Sequence, residues 1–381
     1  MRVGIDGTSW SNRRGYGRFA RNALARLVEL DRGTTYVVCV DEREAEGLPA
    51  GAEKLRVPLR QSPAQAAAAG SHRPVADLLR LTRAVGRARL DAFLFPSVYT
   101  FFPVLRVPTV VGIHDTTPLD FPELTLPTRR ARLFWRLKQQ TALHRAARVF
   151  TVSEAARRQI AVRLGLDEAR VAVVPEAPDP AFQPRPPEET SRELAALGLA
   201  DGPYLLYAAG ISPHKDVETL LDGYAGLEAP PPLVLVGDLE GPYLSSVASV
   251  RARMEHLPPE HRAVLTGFVS DETLARLYSG ATIVVCPSLA EGFGLPPVEA
   301  AACGAPTLVS DLPAHRETLG DAALTFPPGD ATALRAQLER LLADEGLRRE
   351  LAARGRAAVA RFSWDASAER LRELVHEVAR A

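Results

Sequence analysis

The sequence has few cysteines and no long apolar segment, and each shortage excludes a class of protein. Its three cysteines, Cys39, Cys286 and Cys303, lie in apolar surroundings and lack the spacing of metal ligands. This argues against a disulfide framework or a zinc site and favours buried free thiols in a reducing compartment. No run reaches the roughly 18 to 20 apolar residues of a membrane span, and the opening residues, MRVGIDG, lead directly into a predicted strand. We therefore expect a cytoplasmic protein that does not cross a membrane.

The sequence also lacks a net charge, because 46 lysines and arginines balance 46 aspartates and glutamates. The charges are nevertheless unevenly distributed. Residues 1–190 contain 29 basic and 20 acidic residues, a net charge of +9, and the remainder contains 17 and 26, a net charge of −9. This asymmetry is compatible with an anionic partner, such as a membrane surface, and also with complementary halves of one soluble protein. No nucleic-acid-binding motif accompanies the positive charge, so we expect no nucleic-acid partner.

The sequence does contain a regular alternation of strand-like and helix-like segments, which predicts an α/β fold with parallel sheets wrapped by helices. In the front half, the strand candidates are residues 1–6, 35–40, 91–95, 107–113, 147–152 and 170–174, and the helix candidates are 16–30, 71–89, 128–145 and 153–164. In the back half, the strand candidates are residues 203–209, 232–236, 263–267, 281–286 and 305–309, and the last helix candidates are about 331–359 and 364–380.

The proline-rich segment Pro175–Thr190, PEAPDPAFQPRPPEET, separates the two alternations. Its prolines predict an irregular hinge without helix or strand. With 381 residues and 46% apolar content, the chain is long enough for two cores. We therefore predict two doubly wound, Rossmann-like domains, residues 1–185 and 200–360, that face a central cleft. Ligands of such sheets bind outside the carboxyl ends of the strands.

The segment Pro287–Ser310, PSLAEGFGLPPVEAAACGAPTLVS, carries the strongest functional signal. It follows the apolar run Ala281–Cys286, which predicts a buried strand, and it contains an alanine-rich stretch that predicts a short helix. The glycine turn between them places unpaired amides and the positive end of a helix dipole above the sheet, which favours an anion. Glu291 and Glu299, eight positions apart, add two carboxylates. The segment therefore predicts a ligand that combines phosphate with hydroxyl groups.

Three other polar segments follow predicted strands. Gly210–Asp216, GISPHKD, places Lys215 after a strand of the back half, where a lysine either binds a diphosphate or is simply solvated. His114 and Asp115 follow a strand of the front half, where the histidine either donates to a sugar hydroxyl, oriented by Asp115, or caps the next loop. Arg13–Arg18, RRGYGR, follows the first strand but lacks a full dinucleotide-binding motif, so a structural turn and a ligand loop are both compatible.

The predicted helix at 128–145 is basic and amphipathic. Its basic residues are Arg129, Arg130, Arg132, Arg136 and Lys138, and the apolar residues between them are Leu133, Phe134, Trp135 and Leu137. The pattern is compatible with docking on anionic lipid, and more simply with a solvated face above a stripe of core residues. The first alternative implies peripheral membrane association through the basic front domain.

Taken together, these segments resemble the family 4 retaining glycosyltransferases of the GT-B fold. The front half contributes GIDGTSWSNRRGYGRFARNAL, VGIHDTTPLDFPE and RVFTVSEAARRQIAVRLGL, and the back half contributes YAAGISPHKD, the long segment around Glu291 and Glu299, and the closing RFSWDASAERL. The E-x7-E element with GFGLPP inside it is highly specific, and the other motifs are moderately so. The resemblance implies that the final helix, about 364–381, crosses back onto the front domain.

The resemblance also implies roles for individual residues. Glu299 would hold the nucleotide ribose, Glu291 would face the transferred sugar, and Lys215 would bind the diphosphate. His114 would approach the transferred sugar, and the loop around Tyr16 would close under the diphosphate. The donor-binding residues are thus expected to be Gly15, Gly17, Gly210, Lys215, Glu291, Gly292, Phe293, Gly294 and Glu299, and the catalytic residues His114, Lys215 and Glu291.

Two positions depart from the family pattern. Many members have an arginine directly after the glycine that corresponds to Gly210, whereas this chain has Ile211. Lys215, helped by His214, would then carry more of the diphosphate charge. Relatives also commonly have Asn-Gly where this chain has Glu176-Ala177.

The resemblance implies retaining transfer by front-face attack, in which the departing diphosphate oxygen accepts the proton of the acceptor. No cofactor or metal is expected, and the sequence offers no Asp-x-Asp motif for one. Our leading hypothesis is transfer of a hexose, mannose from GDP-mannose, to a glycan or lipid-linked saccharide in cell-surface polysaccharide assembly, because HDTTP and GISPHK resemble bacterial mannosyl- and rhamnosyltransferases. The alternatives are a UDP-sugar-dependent transferase of the same fold, a GT-B nucleotide-sugar epimerase and a catalytically silent partner subunit.

Overall fold

The computed structural model describes residues 1–10, 12, 15–44, 47–61, 73–126, 128–239 and 244–381. These residues form two compact units. The first comprises Met1–Glu176 together with the C-terminal segment Ser363–Ala381, and the second comprises Ala177–Phe362. The chain therefore leaves the first unit once and returns to it with its last segment.

The first unit is built on a sheet whose described strands have the order β3-β2-β1-β4-β5-β6-β7, with all neighbouring pairs parallel. The strands are β1 (Arg2–Asp6), β2 (Thr35–Asp41), β3 (Glu53–Val57), β4 (Ala92–Phe95), β5 (Thr109–Gly112), β6 (Ala146–Thr151) and β7 (Val171–Val173). The central strands β4 and β5 are buried at every residue. Such strands are apolar on both faces because helices cover both sides of the sheet.

The second unit has a sheet with the order β10-β9-β8-β11-β12-β13 among its described residues, again parallel throughout. Its strands are β8 (Leu205–Ala208), β9 (Leu233–Val236), β10 (Ala263–Gly267), β11 (Ile283–Cys286), β12 (Thr307–Ser310) and β13 (Leu324–Phe326). In both sheets the strand order reverses next to the first strand, between β1 and β4 and between β8 and β11. The predicted α/β class with two doubly wound sheets is confirmed.

Helices surround both sheets. Those described in the first part of the chain are α1 (Gly15–Leu30), α2 (Val75–Arg87), α3 (Thr117–Asp120), α4 (Pro122–Thr125), α5 (Arg129–Arg145) and α6 (Glu154–Leu164). The second unit contains α7 (Pro187–Ala196), α8 (Val217–Ala225), α9 (Leu244–Glu255), α10 (Asp271–Gly280), α11 (Leu295–Ala302), α12 (Pro313–Thr318), α13 (Ala331–Ala343) and α14 (Glu345–Val359), and α15 (Trp364–Arg380) closes the chain.

Helix α15 packs against α1 within the first unit. The ring of Trp364 lies edge-on to Phe19 with centroids 6.0 Å apart, and Nε2 of His376 lies 2.7 Å from the carboxylate of Asp31. The helix begins where the hydroxyl of Ser363 accepts a hydrogen bond from a backbone amide of its first turn, a standard N-cap. Its apolar face therefore completes the core of the first unit.

Two predictions about local structure were wrong. The proline-rich hinge is not irregular throughout, because α7 begins at Pro187, and a proline in the first turn of a helix loses no hydrogen bond. The single helix expected at about 331–359 is two helices that meet at Asp344. The carboxylate of Asp344 accepts from the amide of Leu347 at 2.8 Å, so Asp344 ends α13 and caps α14.

The three cysteines are buried and unpaired, as expected from their apolar surroundings. Burial raises the pKa of each thiol above its ordinary value, so all three are inert neutral side chains. Among the described residues, no helix combines the length and the apolar character that a membrane crossing requires.

Candidate active site

The candidate site of the second unit lies at the carboxyl ends of the adjacent strands β8 and β11. A 3-10 turn, Pro213–Lys215, follows β8 and carries Lys215, and the loop after β11 carries Glu291. The Nζ of Lys215 donates to Oε1 of Glu291 at 2.5 Å. The same oxygen accepts from the hydroxyl of Ser288 at 2.7 Å. Because the strand order reverses here, this is the crevice in which doubly wound sheets bind their ligands.

This ion pair is largely shielded from solvent, with exposed side-chain fractions of 16% for Lys215 and 11% for Glu291. Burial alone would raise the pKa of Glu291, but the charge of Lys215, together with His315 and the hydrogen bonds from Lys215 and Ser288, holds the pKa below the ordinary value of 4.5. Glu291 is therefore an anion at neutral pH and compensates the ammonium group. An incoming diphosphate would compete with Glu291 for Lys215.

The turn Gly292–Gly294 leads from Glu291 into α11. Gly294 has a φ of +85°, a left-handed conformation that strains any residue with a Cβ. The second and third residues of α11 are Pro296 and Pro297, which have no N–H to offer a ligand. The N-terminus of α11 therefore has fewer backbone N–H groups to offer an anion than an ordinary helix N-terminus provides.

Glu299 lies on α11 and is 3% exposed. The charges of Glu291 and Glu299 both act on Cys286, the last residue of β11. Burial first, and then the charges of Glu291 and Glu299, raise the pKa of the Cys286 thiol, whereas Lys215 lowers it. The structure thus brings Lys215, Glu291 and Glu299 around the carboxyl end of one strand, and their roles toward a ligand stay predictions.

In the first unit, His114 follows β5 and is buried between two acceptors. Its Nε2 lies 2.8 Å from the carbonyl oxygen of Pro96 and therefore donates to it, and its Nδ1 lies 3.5 Å from Oε1 of Glu176. Burial lowers the pKa of His114, but Glu176, with smaller contributions from the carbonyl of Pro96 and the charge of Asp115, raises the net pKa above 6.5. Contact of His114 with a sugar stays a prediction.

The prediction that Asp115 orients His114 was wrong. The carboxylate of Asp115 accepts from the backbone amide of Thr117 at 2.8 Å and so stabilises the turn that precedes α3. Glu176 is the carboxylate that faces the ring, from 62 positions along the chain. Glu176 stands where relatives commonly have asparagine, and this difference has a structural consequence, because it gives His114 an anionic partner.

The glycine loop of the first unit is shaped by backbone proximity. A Cβ on Gly17 would lie 1.9 Å from the backbone oxygen of Asn12, so only glycine fits there. Gly15 is exposed, with open space where its Cβ would be. Tyr16 stacks on Tyr99 with ring centroids 5.5 Å apart. Arg13 and Arg14, which the sequence placed in the same loop, lie outside the described residues.

Comparison with known proteins accounts for both units. The family described as "Glycosyltransferase Family 4" matches residues 13–182, and the family "Glycosyl transferases group 1" matches residues 191–358. The O-antigen chain mannosyltransferase B of Escherichia coli is 32% identical over 262 residues, which are 67% of each chain. The chain belongs to the family 4 glycosyltransferases.

Two further similarities concern a longer protein and a solved structure. The serotype-specific mannosyltransferase WbdA of Escherichia coli is 31% identical over 272 residues. These residues are 69% of this glycosyltransferase chain but only 33% of the length of WbdA. The crystal structure of HepE from Anabaena in complex with UDP-glucose superposes with a TM-score of 0.76 at 18% identity and covers 99% of both chains. The second similarity shows the GT-B fold alone.

The loop after β8 contains a position, Ile211, at which this glycosyltransferase departs from the family pattern. Gly210 is exposed, and its carbonyl accepts from the phenol of Tyr207 at 2.9 Å. The side chain of Ile211, where many relatives have arginine, is 4% exposed and packs in the apolar core. It therefore offers nothing to an anion. The carbonyl of His214 accepts from the amide of Leu289 at 2.8 Å, which ties this loop to the loop of Glu291.

His315 is a site residue that the sequence analysis missed. It is 1% exposed, and its Nδ1 donates to the carbonyl oxygen of Ser310 at 2.8 Å. A Cβ on Gly294 would lie 2.7 Å from Cδ2 of His315, so the ring supports the glycine turn. Burial lowers the pKa of His315 below 6.5, which keeps the ring neutral at pH 7. A histidine at the start of a short helix after β12 gave no signal of burial in the sequence.

We expect Glu176→Gln to remove a pH-dependent part of the stability. The pKa of His114 is raised in the folded state, so its contribution is fully present below the unfolded pKa of 6.5 and is lost as pH rises through the folded pKa. Between about pH 6 and pH 9, the wild type should therefore lose about 1 kcal/mol more unfolding free energy than the variant. Urea denaturation across this range measures the difference, and parallel profiles would contradict the pairing.

Proposed function

We propose that this chain is a retaining hexosyltransferase that binds a nucleoside diphosphate sugar at the Lys215–Glu291 site. The supporting observation is the buried ion pair at the point where the strand order of the second unit reverses, next to a glycine turn that leads into α11. The proposed donor is GDP-mannose and the proposed acceptor a glycan or lipid-linked saccharide of a cell-surface polysaccharide. No metal or cofactor is proposed.

The chemistry follows from where charge develops in the reaction. When the bond to the sugar breaks, negative charge accumulates on the departing diphosphate, and preorganised donors that stabilise it lower the barrier. Lys215 supplies a full positive charge, and the turn amides supply fixed partial charges. Glu291 holds Lys215 in place before the donor binds and is released to face the sugar once the diphosphate takes over the ammonium group. Glu299 accepts from the ribose hydroxyls.

The sugar and the base are proposed from the relatives. WbdA and the O-antigen chain mannosyltransferase B are named mannosyltransferases, whereas HepE was solved with UDP-glucose. Hydrolysis of a panel of nucleotide sugars tests the choice. We expect turnover with GDP-mannose, and turnover with UDP-sugars alone would replace the mannosyl proposal by a UDP-dependent one. An epimerase would instead interconvert sugars without releasing them, and a silent subunit would turn over no donor.

Peripheral membrane association is the second part of the proposal, and it is supported by α5. The simpler expectation, a solvated face above a core stripe, holds for Trp135, which is 2% exposed and part of the core, but not for Leu133, Phe134 and Leu137, which are 58%, 41% and 50% exposed. The guanidinium of Arg130 lies 5.4 Å from the ring centroid of Phe134. No acidic residue occurs anywhere in α5. A surface that combines exposed apolar side chains with unopposed positive charge fits an anionic membrane interface.

The double variant Phe134→Ser, Leu137→Ser is expected to lose at least about tenfold in affinity for anionic vesicles, because each buried apolar side chain contributes about 1.5 to 3 kcal/mol. Vesicle flotation measures the loss. The matched control is Val162→Ser on α6, which removes an apolar side chain that is 81% exposed outside the basic surface. Equal binding by the double variant and the control would rule out α5 as the docking face.

A further inference from the structure

The first unit also contains a polar centre. It lies where the strand order of the first sheet reverses, which corresponds to the position of the proposed donor site in the second unit. The strand order of the first sheet also reverses, between β1 and β4. Asp6 ends β1 and Thr8 follows it, and the 3-10 turn Val98–Thr100 follows β4. Crevices of this kind bind ligands in doubly wound sheets. The proposed donor chemistry uses none of these residues.

Two half-buried cations lie at this crevice, Arg73 just before α2 and Lys138 on α5. The Nη2 of Arg73 donates to the hydroxyl of Thr8 at 2.6 Å, but its Nη1 is buried without a hydrogen-bond partner. The Nζ of Lys138 donates to the carbonyl of Tyr99 at 3.1 Å and lies 5.1 Å from the ring centroid of Trp135. Within the described ranges, no carboxylate forms an ion pair with either cation.

The two cations repel each other. Burial, and then the charge of Arg73, lower the pKa of Lys138 to about 8. Three carboxylates lie within electrostatic reach of Arg73. The pKa of Asp6 is itself raised by burial, and Asp41 and Asp77 already pair with arginines of their own. Asp6 is the carboxylate that acts most strongly on Arg73 and offsets part of its charge. The Nη1 of Arg73 nevertheless lacks a hydrogen-bond partner, and Lys138 pairs with no described carboxylate, so an anionic ligand would satisfy both groups.

We propose that Arg73 and Lys138 bind a phosphate group of the acceptor substrate. The assignment to the acceptor rests on the proposed glycosyltransferase activity, whereas the anion site itself does not. A dianionic phosphate ester matches two cations within electrostatic reach of each other, and the free Nη1 of Arg73 and the ammonium group of Lys138 are charged donors. Thr8 positions the guanidinium, because its hydroxyl accepts from Arg73 and donates to Asp6 at 2.6 Å. The phosphate belongs either to a lipid-linked saccharide or to a soluble sugar phosphate.

The chain has only three lysines, Lys54, Lys138 and Lys215, so trace acetylation read by mass spectrometry reports on each separately. Lys54 is exposed and serves as the internal control. Inorganic phosphate, compared with chloride at equal ionic strength, should raise the pKa of Lys138 and slow its acetylation about fivefold to tenfold near pH 7.5. The rate at Lys54 should not change. Unchanged acetylation of Lys138, or equal protection by acetate, would overturn the proposal.

The variant Arg73→Gln makes the test specific. It should raise the pKa of Lys138 in phosphate-free buffer, because the repulsion is removed, and it should weaken protection by phosphate. Full protection in this variant would overturn the two-cation site. Protection by glucose 1-phosphate supports a soluble acceptor, and protection only by vesicles that contain phosphatidic acid supports a lipid-linked one. Protection of Lys215 by GDP or UDP tests the proposed function independently in the same samples.

Discussion

Replacing Lys215 by methionine is expected to lower the rate of sugar transfer by about 10²- to 10³-fold, because it removes the one full positive charge that the described residues of the proposed donor site would offer the leaving diphosphate. Methionine keeps the length of the side chain but cannot hydrogen-bond to Glu291. The variant would also be less stable, since a buried carboxylate is left without its partner at a cost of about 3 kcal/mol. Donor hydrolysis and thermal unfolding of the same samples measure both effects.

The double variant Lys215→Met, Glu291→Gln separates chemistry from stability. The amide of glutamine carries no charge, so the double variant should recover to within about 1 kcal/mol of the wild-type unfolding free energy. Its transfer activity should remain as low as that of Lys215→Met. Recovery of activity together with stability would mean that Lys215 only compensates Glu291 and does not act on the diphosphate.

Gly294→Ala is expected to lower both stability and activity. The φ of +85° strains an alanine, and its Cβ would lie 2.7 Å from Cδ2 of His315, a ring that the hydrogen bond to Ser310 holds in place. Strain and overpacking together should cost about 2 to 4 kcal/mol. The turn amides would shift away from the diphosphate, and a displacement of that kind should lower the transfer rate about 10²-fold. Steady-state kinetics and urea denaturation measure the two effects.

The matched control is Gly304→Ala. Gly304 follows the C-terminal end of α11 and has a φ of +83°, so it carries the same backbone strain. The atom nearest to its hypothetical Cβ is Cδ of Arg356 at 3.4 Å, a flexible side chain outside the site. This variant should lose about 1 kcal/mol of stability and keep its transfer rate. A comparable loss of rate in both variants would indicate that general destabilisation, not the position of the turn, limits activity.

Most strands were predictable because burial on both faces leaves a continuous apolar run, as in β11 and β12. The two strands that were missed, β3 and β13, lie at sheet edges. Three of the five residues of β3, EKLRV, are charged and exposed, which protects an edge from pairing with another chain but removes the signal of a strand. The break at Asp344 was missed because the apolar spacing continues across it.

The candidate site was only partly predictable for a similar reason. Glu291, Glu299 and the glycine turn lie within one short segment, and Lys215 follows a strand. Their positions after neighbouring strands could therefore be predicted from the sequence. The support of Gly294 by His315 and the pairing of His114 with Glu176 join residues from separate segments. Their partners are set by packing, which no local pattern records.

The sequence by itself determined the fold class and the family, because strand periodicity and compact motifs are local properties of the chain, and the same motifs supplied the candidate donor-site residues, whose roles stay predictions. Only the tertiary structure decided which charges are compensated. Coulomb interactions act over a few ångströms in a shielded interior, and parallel sheets bring together groups that are far apart in sequence, as with Arg73 and Lys138. Whether a buried cation has a partner, and hence whether it can bind an anionic ligand, is therefore a property of the folded chain.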